Sequence, residues 1–152
     1  MMENKMSEQK NFSVHYQTWK NKDAVKKVLT DFRKNFPTNP IRLVSDNGAD
    51  YKDFVDTFEL VYDFKESNVF PGGKFGDISH CYEWLNRLNE TCQMFNTDWV
   101  VIFEDDVLTK NSNIKFPHSD AGGVYVHPWK QELTKKLKER NTLNMNWGYG
   151  MC

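Results

Sequence analysis

Apolar and polar residues alternate from Phe12 to Gln17 (Phe-Ser-Val-His-Tyr-Gln), the period of two that marks a strand. Asp23 is placed to cap the helix that follows. Val25, Val28, Leu29, Phe32 and Phe36 make its apolar stripe, and Pro37 and Pro40 end it. Ile41 to Ser45 reads as a second strand. It breaks into Asp46-Asn47-Gly48-Ala49-Asp50, where Gly48 can take a positive φ and Asp50 can cap a short helix over Tyr51 to Asp56. Phe58 to Tyr62 reads as a third strand. Strand, helix, strand, helix, strand implies right-handed crossovers and a parallel sheet, an α/β fold.

The helix from Asp77 to about Asn96 has the clearest periodicity: Ile78, Cys81, Leu85, Leu88, Cys92 and Phe95 fall at steps of three and four. That stripe is expected in the core, with His80 structural beside it. The helix delivers the chain to Trp99-Val-Val-Ile-Phe, too short for a helix and long enough for a buried strand. A polar loop, Thr109 to Asp120, leads to a further strand over Ala121 to Val126. Pro128 then opens a last amphipathic helix carrying Trp129, Leu133 and Leu137.

Composition changes this picture little. The chain has 152 residues, 39% of them hydrophobic, which is enough for one core. Met1 to Asn11 is polar, a flexible lead-in to a single domain over residues 12–152. Twenty basic and 21 acidic residues without blocks of one sign argue against nucleic acid as the main partner. Neither a signal peptide nor a membrane span is expected, so a cytoplasmic location is. Cys81 and Cys92 lie eleven positions apart on one helix, about 16 Å of rise, so they cannot pair with each other and are expected as reduced core residues.

Candidate chemistry gathers at strand ends. Glu104, Asp105 and Asp106 follow Phe103 directly, and like charges this close are costly unless a cation sits among them. In an extended backbone Glu104 and Asp106 point to one side, available to a hard divalent metal such as Mn²⁺ or Mg²⁺, while Asp105 points to the other. The plain alternative is an acidic turn capping a strand. Pro71-Gly72-Gly73-Lys74 could bring backbone amides to a phosphate, although its spacing is not that of a P-loop. Open parallel sheets bind ligands at the carboxyl ends of their strands, where both the Asp46 loop and Glu104 to Asp106 fall.

Those two loops, in that order and on those elements, resemble the nucleotide-sugar glycosyltransferases with the GT-A fold. Val44-Ser45-Asp46-Asn47-Gly48-Ala49-Asp50 is similar to their nucleoside loop. Glu104-Asp105-Asp106 is similar to the Glu-Asp-Asp version of their Asp-x-Asp motif, as in the N-acetylglucosaminyltransferase I type. The resemblance runs from about Phe12 to Gly150. It implies a Rossmann-like, mainly parallel GT-A sheet with helices on both faces, and transfer of a sugar from a nucleoside-diphosphate sugar, a UDP-sugar first of all, to a carbohydrate or glycan acceptor. Asp46 would then read the base through its ring NH, and Tyr16, Gln17 and Thr18 would wall it. Asp106 would bind the metal directly, with Glu104 and Asp105 holding its waters or the ribose. Lys74 is a diphosphate or sugar contact on this reading, and a solvated surface lysine on the plain one.

Asn146-Trp147-Gly148-Tyr149-Gly150 resembles the Trp-Gly-x-Gly segment that in the galactosyltransferase type precedes an acidic pair containing the catalytic base. Here Cys152 ends the sequence, so the expectation is a chain truncated before the acceptor part, without an identified base. His118 and His127 are candidate replacement ligands or plain surface histidines. Trp147 and Tyr149 are either an acceptor-sugar platform or apolar residues left uncovered, prone to self-association. A catalytically inactive nucleotide-sugar and metal-binding domain is the alternative function. A nucleotidyltransferase would want a Gly-rich basic loop after the first strand, and Thr18-Trp19-Lys20-Asn21 is not one.

Overall fold

The computed structural model describes residues 11–69, 78–114, 116, 121–123 and 145–147. The chain divides into two compact units, Met1–Leu108 and Thr109–Cys152. The first holds β1 (Phe12–Thr18), α1 (Lys22–Asn35), β2 (Ile41–Asp46), a 3₁₀ turn (Lys52–Phe54) running into α2 (Val55–Phe58), β3 (Val61–Lys65), α3 (Ile78–Met94) and β4 (Trp99–Phe103). Its sheet has the order β3-β2-β1-β4, with every pair parallel. In the second unit β5 (Ala121–Gly123) and β6 (Met145–Trp147) pair in parallel. The expected helix after Pro128 lies outside the described residues, as do His118, His127 and Tyr149. Among the described residues no helix is long and apolar enough to cross a membrane.

The sheet has two unlike faces, and the alternation in β1 is their origin. Phe12, Val14 and Tyr16 share one face with Ile41 and Leu43 of β2 and with Val101 and Phe103 of β4. Against this face α1 buries Val25, Val28, Leu29 and Phe32, and the Phe32 ring meets Phe12 and Phe103 edge-on, with centroids 6.2 and 5.3 Å apart. The opposite face carries Ser13, His15 and Gln17 from β1 and Arg42 and Asp46 from β2, all buried. Burying so many polar groups is costly unless partners are supplied, and a polar helix side above this face supplies them to His15, Arg42 and Asp46.

This pairing corrects the expected orientation of α3. Arg87 and Thr91 face the sheet and are fully buried, whereas Cys81 and Cys92 are exposed thiols and Leu85 is exposed. Of the apolar stripe Cys81, Leu85 and Cys92 are exposed and Leu88 and Phe95 half-buried, so it is not the side of the helix that faces the sheet, because a polar sheet face selects the polar side.

Local boundaries differ in several places. Asn21, not Asp23, caps α1: its Oδ1 accepts from the Ala24 amide at 3.1 Å, and Asp23 sits in the first turn. Phe58 ends α2 instead of starting a strand, since Glu59 turns left-handed at φ 49° and β3 begins at Val61. In the loop after β2 the positive φ falls on Asn47, at 51°, and not on Gly48. The cap position of the short helical segment is Tyr51 and not Asp50, whose side chain instead accepts from the Lys52 amide at 3.0 Å in a local turn just before it.

Candidate functional site

In the order β3-β2-β1-β4 the chain winds outward from β1 through β2 to β3, then crosses back to lay β4 on the other side of β1. The crevice beyond the carboxyl ends of β1 and β4 is thus a topological switch point, where parallel sheets open to ligands. Thr18, Trp19 and Lys20 leave β1 on one side of it, and Glu104, Asp105 and Asp106 leave β4 on the other.

The strand stops at Phe103, and Glu104 to Val107 form a turn closed by the Val107 amide on the Glu104 carbonyl at 3.2 Å. The three carboxylates are therefore set by a turn and not by the alternation of a strand. Glu104 and Asp106 are exposed. Asp105 is half-buried, and its Oδ1 accepts from the phenol of Tyr16 at 3.1 Å. Burial of that phenol, and then the Asp105 charge beside it, push its pKa far above the ordinary tyrosine value, so it remains a neutral donor.

Two exposed carboxylates on one turn offer hard oxygen ligands of the kind Mg²⁺ and Mn²⁺ accept, with water and phosphate oxygens completing the coordination. Among the described residues no group of three or more His, Cys, Asp or Glu side chains could hold a metal ion.

The loop after β2 closes against the end of β1. The Ala49 amide donates to the Trp19 carbonyl at 2.7 Å, and the Tyr51 phenol donates to the same oxygen at 3.1 Å. A Cβ on Gly48 would lie 1.8 Å from that oxygen, so the close approach of the two loops requires glycine here. Ser45 Oγ donates to the Ala49 carbonyl at 2.7 Å and accepts from the Gly48 amide at 3.3 Å, which fixes the turn from inside. Trp19 stays about half exposed at the crevice, with Lys20 Nζ 4.2 Å from its ring centroid.

The residues named from sequence fall on different sides of the sheet. Tyr16 and Thr18 lie on the α1 face, where Tyr16 reaches Asp105. Gln17 and Asp46 lie on the α3 face. Lys74 is outside the described residues. Asp46 is buried, and its Oδ1 accepts from Arg87 Nη1 at 2.7 Å and from the Val69 amide at 2.8 Å. Arg87 also donates through Nη2 to the carbonyl and hydroxyl of Ser67 at 2.8 and 2.9 Å, and through Nε to Glu83 at 3.1 Å. Asp46 and Arg87 together pin the loop after β3 onto the end of β2.

Sequence reasoning missed this buried layer of charge. Arg42 donates to the Arg87 carbonyl at 2.7 Å, to Thr91 Oγ1 at 3.1 Å and to Asp63 at 2.5 Å, and it pairs with Glu90. Hydrogen bonding from Arg42 holds the Glu90 carboxyl below its usual range. For Asp63, burial acts upward but bonds from Lys65 and Arg42 outweigh it, so its pKa is lowered too. His15 Nδ1 lies 2.7 Å from Thr91 Oγ1, and burial, then the charge of Arg42, lower its pKa from 6.5 to about 4. The signal available was the pattern Ser13, His15, Gln17: three polar residues on the buried period of a central strand.

No protein-family model, curated protein or solved structure matches this chain.

Proposed function

We propose that this chain is a glycosyltransferase domain, or the nucleotide-binding portion of one, that takes a nucleoside-diphosphate sugar with Mn²⁺ or Mg²⁺ in the crevice between β1 and β4. The observation that carries the reading is the position of Glu104, Asp105 and Asp106 at the switch point of an all-parallel sheet, with Asp105 tied to β1 through Tyr16. Glu104 and Asp106 are the residues that would hold the cation. When bound, such a cation stabilises negative charge on the departing diphosphate.

The chain's own residues have the remaining roles. Tyr16 fixes Asp105, so the turn presents its two free carboxylates from a set position. The Trp19 ring and the loop held on the Trp19 carbonyl wall the crevice on the β1 side. Asp46 is assigned to the nucleoside base. Its carboxylate is buried against Arg87 and the Val69 amide, so direct contact with a base requires that layer to open. The reaction needs no covalent nucleophile from this part of the chain.

Isothermal titration with UDP, in Mn²⁺ and again in EDTA, tests the reading. Binding in Mn²⁺ that is lost in EDTA is expected. Equal affinity in the two buffers, or none in either, refutes the assignment.

A further inference from the structure

The outward side of α3 has no part in the crevice. The acidic and basic side chains of this helix are all engaged: Glu83 with Arg87 and Ser67, Glu90 with Arg42 and Lys65, and Arg87 inside the structure. Glu90 is exposed where it makes these pairs; the other exposed residues around the middle of the helix are uncharged, among them Cys81, Tyr82 at 62% exposure, Leu85 at 51%, Asn86, Asn89, Cys92, Gln93 and Met94. Ile102 is 43% exposed and, by its register with His15, lies on the same side of the sheet. In a chain with 27% charged residues, the exposed stripe of Cys81, Leu85 and Cys92, which carries no charge of its own, is suited to burial against a partner.

Two features of the seam identify the partner. Ile78, Cys81, Leu85, Leu88, Cys92 and Phe95 are spaced three, four, three, four, three, the a/d repeat of two helices packed along each other. The seam is also symmetric in residue type about the point between Asn86 and Arg87: Leu85 answers Leu88, Cys81 answers Cys92, and Ile78 answers Phe95. Laid antiparallel on a copy of itself, each position meets its own kind, with no charge brought against like charge. Self-complementarity of this sort is what a two-fold contact between identical chains demands.

We propose that α3 is a homodimerisation surface, pairing antiparallel with α3 of a second copy so that Leu85 packs on Leu88 and Cys81 approaches Cys92 across the two-fold axis. The helix spans about 26 Å and is already formed on its sheet, so association does not have to order it. One helix pair is a small interface, so a weak dimer is expected, with a dissociation constant on the order of 10 µM as the scale for the test.

Light scattering coupled to size exclusion, from about 1 to about 200 µM to bracket that constant, should show monomer passing to dimer. Leu85→Glu is a surface change and should shift the transition at least about tenfold upward with the circular dichroism spectrum and Tm unchanged. In a Cys152→Ser background a short bismaleimide should link two chains, and either Cys81→Ser or Cys92→Ser alone should abolish the link. Parallel pairing would leave one link in each single variant and overturns the proposal. So does a chain that stays monomeric at the highest concentration, or whose Cys81 and Cys92 resist maleimide as monomer because the face is covered within one chain. A dimer indifferent to Leu85→Glu but dispersed by Trp147→Ser puts the contact elsewhere and equally overturns it.

Discussion

The phenol of Tyr16 donates to Asp105 Oδ1 at 3.1 Å, joining the central strand to the acidic turn after the edge strand β4. The sheet's own hydrogen bonds hold β1 to β4 only as far as Tyr16 and Phe103, so this side-chain bond continues the connection beyond the ladder. It also leaves Asp105 half-buried, in a different situation from the exposed Glu104 and Asp106.

Tyr16→Phe removes that donor and keeps the ring. A hydrogen bond to a charged group contributes roughly 1.5–3 kcal/mol, and a loss of stability of that order is expected. Manganese-dependent UDP affinity should fall about tenfold as the turn loosens. A lowered Tm with UDP affinity unchanged would restrict Tyr16 to a structural role.

Asp106→Ala should abolish the dependence of UDP binding on divalent metal, with little change in Tm because the residue is exposed. Glu104→Gln should weaken the dependence less. The comparison is read from titrations in Mn²⁺ and in EDTA.

Breaking the Asp46–Arg87 pair leaves an uncompensated buried charge, so Asp46→Ala and Arg87→Met should each cost about 3–5 kcal/mol in urea denaturation. The double variant should cost less than the sum, since both remove one interaction. At a temperature where Asp46→Ala is still folded, both uridine and UDP should bind more weakly. Unchanged uridine affinity would remove Asp46 from the nucleoside site.

Gly48→Ala sets a methyl group against the Trp19 carbonyl, which is backbone and cannot rotate away. A loss of about 1–3 kcal/mol is expected, with a changed Trp fluorescence spectrum as the Trp19 segment shifts. An unaltered Tm would mean that the loop is not held as tightly as its hydrogen bonds indicate.

His15 sets a pH limit. Its pKa is near 4 in the folded chain and 6.5 when unfolded, so between these values the unfolded state binds more protons and stability falls as the pH falls. The loss begins near pH 6.5 and is complete near pH 4, with a total of about 3 kcal/mol. Asp63 and Glu90, whose pKa values are lowered, add a further loss below the usual carboxylate range. In His15→Gln, urea denaturation at a series of pH values should show the slope between pH 6.5 and 4 reduced by one proton.

Elements with a strong local signal are in the sequence. The alternation of β1, the stripe Val25-Val28-Leu29-Phe32 of α1 and the strand–helix–strand order predict an all-parallel α/β unit, because periodicity reports the buried side where an apolar face meets an apolar face. Its acidic loops at strand ends are legible for the same reason. The apolar run of β4 is a strand as expected but an edge strand, with Ile102 exposed and not buried. What covers each face is not local information. The stripe of α3 was expected to mark its buried side, yet Arg87 and Thr91 point inward, because His15, Arg42 and Asp46 had already made that sheet face polar and a buried charge must be paired. Tertiary contacts likewise decided that Gly48 serves a close approach and not a positive φ, and that Asp105 belongs to Tyr16, since both depend on residues 29 and 89 positions away in the chain.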